Sequence, residues 1–184
     1  TKEDLENFDK SRKHHSEKYD PSKAGITFGE VVANSRKIDV KRANNQVDDQ
    51  SGITRASLSG VKGNIALVRV KASAGSKHQE HQVTVRMEQW DQLLMDPPDG
   101  DYVKAVKTAC AGRISFNCSC GRHQYWYRYL ATMGNYAITP PKEFAFPKVR
   151  NPQCTGVACK HVLKSVTMLQ SAAWHRILGN QMKV

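Results

Sequence analysis

The chain has 184 residues, the size of one ordinary domain or of a small domain with an appendage. It carries 28 Lys+Arg against 17 Asp+Glu, a net charge of +11, and this balance favours an anionic partner over a cationic one. Five cysteines is an odd number, which argues against a paired disulfide framework and for synthesis in a reducing compartment; no run reaches the ~18 apolar residues of a membrane span.

Residues 1–62 are dominated by Lys, Asp, Glu, Asn and Ser. Phe8, Tyr19, Ile26, Phe28, Val31, Val32 and Ile38 recur there without a sustained helical or strand period. Such a composition buries too little apolar surface by itself to offset chain entropy, so this stretch is expected to be a polar, irregular, extended arm ordered by docking on a partner protein.

Residues 63–110 change character. The run Ile65-Ala66-Leu67-Val68-Arg69-Val70-Lys71 is β-branched, and His81 to Met87 alternates with Val83, Val85 and Met87 on one side. With Ser73-Ala74-Gly75-Ser76-Lys77 between them, the two runs predict a β-hairpin. Trp90, Leu93 and Leu94 predict a short helix stopped at Asp96-Pro97-Pro98-Asp99-Gly100, and residues 102–107 are read as a strand.

Residues 111–184 hold the chemistry. A strand over 114–118 ends in Cys118-Ser119-Cys120, and residues two apart on a strand face the same side. A helical pattern over 122–133 follows, with Tyr125, Trp126, Tyr127 and Tyr129 lying among Arg122, His123 and Arg128. These aromatics are read as core in preference to a base-stacking platform. A proline-bearing loop then leads to Cys159-Lys160-His161. Within one helix Cys159 and His161 would diverge by about 200°, so Cys159 is placed in the turn and His161 at the start of the helix. Val162, Val166, Leu169, Ala173 and Ile177 continue that helix to a stop at Gly179-Asn180.

Three sulfurs and one imidazole in two close pairs make a Cys₃His set, a donor combination that closes a structural Zn²⁺ site. Cys118, Cys120, Cys159 and His161 are the ligands expected, with Cys154 or His123 as the alternative for one of them. A hydrolytic zinc needs an open position and usually a carboxylate. Four protein ligands leave no position open, and Glu143 is the single acid in residues 112–184. Deaminase, phosphate-loop and serine-elbow signatures are missing from the sequence, so the reading is non-enzymatic, with no small-molecule substrate.

The same stretch holds ten bases, a net of +9, whereas residues 1–63 hold twelve bases and ten acids. Arg122, Arg128, Lys148, Arg150, Lys160 and Lys164 are therefore candidate contacts to nucleic-acid phosphates.

A strand ending in Cys-x-Cys, followed after a spacer by Cys-x-His opening a helix, resembles the SWIM-type zinc finger, whose members typically show the tripeptide found here as Cys159-Lys160-His161. The likeness spans residues 115–168, and the 38 residues between Cys120 and Cys159 exceed the spacer of most members. This long form also resembles virion proteins of tailed bacteriophages. The resemblance implies zinc as cofactor and protein or nucleic acid as partner.

The expected architecture is α+β: a small antiparallel sheet with two helices around the zinc site, plus the arm. Its divisions are 1–62 (arm), 63–110 (hairpin and connection) and 111–184 (zinc module). The expected role is a zinc-stabilised assembly protein docking through its arm in a larger complex such as a virion. The alternative is a DNA-binding module.

Overall fold

A computed structural model of the chain describes residues 2, 6, 22–138 and 143–184. Five strands form one antiparallel sheet in the order β1-β5-β4-β3-β2, where β1 is Ile26–Thr27, β2 Ala56–Lys62, β3 Ile65–Lys71, β4 Glu80–Met87 and β5 Arg113–Cys118. Seven α-helices accompany it among the described residues: α1 (Phe28–Asn34), α2 (Lys37–Ala43), α3 (Trp90–Met95), α4 (Tyr102–Ala111), α5 (Arg128–Met133), α6 (Lys160–Met168) and α7 (Ala172–Lys183). The α+β class expected from the sequence is the observed one, with more helices than the two foreseen.

The β3–β4 hairpin follows from the alternation. Val68 and Val70 pair with Val83 and His81, and the inward set Ala66, Val68, Val70, Val83, Val85 and Met87 is fully or almost fully buried. Strand β5 adds Ile114, Phe116 and Cys118 to that side, with Cys118 opposite Val83. Helix α6 lies against β2 to β5 through Val162, Leu163 and Val166, and it also touches α1 and α2. At roughly 1.5–3 kcal/mol per fully buried aliphatic side chain, this layer contributes several kcal/mol to the stability of the fold.

Three expectations need correction. Residues 22–62 are not an extended arm. Thr27 caps α1 in a reciprocal box with Glu30, Ile26 pairs with Ile114, and Ile26, Val31, Ala43 and Ile53 are buried in the common core. Strand β2 joins the sheet through Gly63 (φ 60°) and Asn64, a two-residue loop that needs positive φ. The parts of the expected arm at residues 1, 3–5 and 7–21 lie outside the described residues, and the boundaries expected at 62 and 110 are crossed by the sheet and by one continuous core.

Residues 102–107 are helical, not extended. The Asp101 carboxylate accepts from the Val103 and Lys104 amides, which starts α4, and Ala105, Val106, Ala109 and Cys110 form its buried stripe. The last helix is two helices. The chain breaks at residues 169–171, Ser171 caps α7 by accepting from the Trp174 amide, and Gly179 lies inside α7 instead of ending it. A Cβ at Gly179 would stand 2.9 Å from Val103 Cγ2, so glycine there lets α4 and α7 approach closely.

Candidate metal centre

The first two sulfurs come from the end of β5. The ladder continues one residue past the strand, because the Ser119 amide donates to the Gln82 carbonyl (3.0 Å) and the Gln82 amide to Ser119 Oγ (3.0 Å). That extension holds Cys118 and Cys120 on the same side, as their spacing predicts. The other two donors come from the start of α6. Cys159 is its N-cap residue with extended backbone (φ −72°, ψ 166°), and its sulfur makes no cap bond; His161 is the second helical residue. Between them, Lys160 turns away, donating from Nζ to the Ser51 carbonyl (2.8 Å) and to Ser73 Oγ (3.3 Å).

The result is a cluster in which one donor atom each from Cys118, Cys120, Cys159 and His161 lies within 4.8 Å of every other, all four residues being buried. For comparison, sulfurs on a tetrahedral ion with ~2.3 Å bonds stand about 3.8 Å apart. These four residues could therefore hold a metal ion after a small contraction.

The chemistry of the donors agrees. His161 Nδ1 is buried without a hydrogen-bond partner. A nitrogen in that state costs free energy that a coordinate bond would recover. The Cys120 thiol is held far below its ordinary range, first by the hydrogen bond from Cys118 and then by that from Cys159. Cys118 is pushed up, first by the bond it gives Cys120, and Cys159 is pushed up first by burial. Amides support the low-pKa sulfur: the His123 N–H points at Cys120 Sγ (3.3 Å). Three sulfurs this close to one another and to an imidazole form a pocket that would give up protons on taking a divalent cation.

Neither alternative ligand belongs to the cluster. Cys154 is buried elsewhere with φ 51°, at the end of a turn in which its amide donates to the Asn151 carbonyl. The His123 ring is enclosed near Phe116 with neither ring nitrogen hydrogen-bonded, and burial lowers its pKa to about 4. Cys110 sits apart, its sulfur 3.9 Å from that of Met87, and burial pushes it up to about 12.

Of the six candidate phosphate contacts, three are occupied within the fold. Arg122 stacks on Trp126 (4.2 Å) and faces the buried carboxylate of Asp39 (3.6 Å). Arg128 donates to Asn117 (3.4 Å), and Lys160 is bound as described. Lys148 and Arg150 are exposed and Lys164 is half-buried.

The cluster around Asp39 was not legible in the sequence. The Tyr127 hydroxyl donates to Asp39 Oδ2 at 2.7 Å across 88 positions of chain, and burial first, then Asp39, holds the phenol protonated. Arg36 stacks on Trp126 (4.5 Å) and donates to Thr155 Oγ1 (2.7 Å). Two histidines were also missed. His81 stacks on His161 with ring centroids 4.3 Å apart, and His78 meets His81 at 5.5 Å. The strand alternation was the available signal, since it puts His81 on the side of Val83 and Val85. No family model, no curated protein and no solved structure matches this chain.

Proposed function

We propose that the chain is a non-enzymatic, zinc-stabilised assembly protein of SWIM type, in which the ion fixes a rigid body and other protein subunits are bound by surfaces outside the centre. The observation that carries this reading is the enclosed tetrad of three cysteines and one histidine. Thiolate-rich tetrahedral sets select zinc over hard cations, and a site closed by four protein donors serves folding, leaving no position for substrate. The thiolates and His161 would bind Zn²⁺, which supplies cross-linking of β5 to α6 and no reaction. The polar residues preceding Ser22 are the docking segment in this reading, which rests on their composition, and a phage virion is the setting that the long-spacer resemblance implies.

The test has two stages. Elemental analysis of the purified chain should find one zinc per molecule, and its removal by a chelator should lower the melting temperature. A photo-crosslinker at Phe8 in the source cell should then capture protein. Absence of zinc refutes the first stage, and capture of nucleic acid alone refutes the second.

A DNA-binding reading retains support from the +9 surplus of residues 112–184 and the exposed Lys148 and Arg150. It predicts affinity that falls with a log–log salt slope of roughly 0.9 per neutralised phosphate.

A further inference from the structure

The tetrad is closed to solvent, its four residues being 0–5% exposed, so an ion must have a route in or out. Beside it stands a short row of imidazoles. His81 lies on the inner side of β4, two residues before Val83, and Val83 is the partner of Cys118 across the ladder. Its half-buried ring packs on His161, and the exposed His78 continues the row outward. Two imidazoles sharing a tetrahedral ion, at ~2.0 Å from each nitrogen, would have centroids about 5 Å apart. The observed 5.5 Å between His78 and His81 meets that requirement with little adjustment.

We propose that His78 and His81 form a second, outer divalent-cation site that passes zinc between solvent and the Cys₃His centre. The inference rests on the tetrad being a zinc centre. In the outward direction the bond from zinc to the His161 nitrogen breaks as one to the His81 nitrogen forms. The three thiolates then release the ion, taking protons from solvent, and zinc leaves from His78 as the hydrated cation. No electron changes hands. A pair of neutral imidazoles binds more weakly than three thiolates and one imidazole, so the outer site is transient and sets rates, not the resting position.

The test uses the zinc-loaded full chain mixed with excess chromogenic zinc chelator at fixed pH. The double variant His78→Ala with His81→Phe keeps ring bulk over His161 and removes both donor pairs. Release is expected to slow by about tenfold, equivalent to about 1.4 kcal/mol added to the barrier of the passing step. Zinc stoichiometry and melting temperature should stay unchanged. His78→Ala alone, at an exposed position, should slow release in the same direction and guards against misfolding of the double variant. Release at the wild-type rate or faster would overturn the proposal, because His81 would then be at most a cover. Loss of stoichiometric zinc from either variant would overturn it too, making the histidines resident ligands. Wild-type chain that holds no zinc would remove the centre and the outer site together, which separates that failure from the others.

Discussion

Two buried polar clusters tie distant parts of this chain together, and they are completed in different ways. Around Asp39, the Tyr127 hydroxyl donates to one carboxylate oxygen and the guanidinium of Arg122 faces the other at 3.6 Å, linking α2 to the helical stretch at residues 122–127. In the tetrad, one donor atom from each of three cysteines and His161 converges in a buried pocket, where His161 Nδ1 has no hydrogen-bond partner. The first cluster compensates its own charge, and the second asks for an ion. Burial of polar groups is thus met in one fold by two routes, and under the function proposed above only the second would make stability depend on the surroundings.

Removing a tetrad member should have the largest effect. Cys159→Ser or His161→Ala is expected to abolish metal binding and to cost more than ~4 kcal/mol, the range reached when a structural metal is lost. Calorimetry with metal analysis checks this, and unchanged melting with unchanged metal would erase the contrast between the clusters. Asp39→Ala should follow at about 2–3 kcal/mol, since it leaves the Tyr127 hydroxyl and a partly exposed arginine without their carboxylate, while metal content stays intact. Denaturant unfolding reads that value. Lys160→Met, which removes bonds to Ser51 and Ser73 from between two ligands, should cost about 1 kcal/mol and leave the metal in place.

His123→Phe should be close to neutral or stabilising. The substitution removes a buried ring whose nitrogens find no partner, and loss of metal in this variant would make His123 a ligand after all. The smallest effect is chemical. With its pKa raised to about 12, Cys110 is almost wholly protonated at pH 8, and the thiolate is the nucleophile. Alkylation of folded protein should therefore spare it, with labelling appearing only on denaturation.

The Cys₃His cluster was legible because its potential donors come in pairs at strand and helix-start spacing, which local geometry converts directly into a shared direction. The β3–β4 hairpin was legible through its alternation. The N-terminal half was not. Ile26, Val31, Ala43 and Ile53 are each buried by residues far along the chain, and widely spaced apolar positions in a polar background carry no period. Residues 102–107 misled because Tyr102, Val103 and Val106 have strand propensity, whereas the Asp101 cap and the Ala105, Ala109, Cys110 stripe decide for helix. The charge split is a property of the linear sequence and does not tell which bases face solvent: folding brings Arg113 to the carbonyls of Ala24 and Gly25, Arg122 to Asp39 and Lys160 to Ser51, and leaves Lys148 and Arg150 exposed.

The pairing of β1 with β5 has a consequence for synthesis. Asp39 meets its phenol partner 88 positions later, and at about 5–20 residues per second a ribosome needs roughly 4–18 s to make that stretch. For most of that interval the partner strand of β1 does not yet exist, and α6, which packs on α1, is made later still. Nascent α1 and α2 are thus open to chaperones and proteases until translation passes His161, so the making of α6 sets when they become protected.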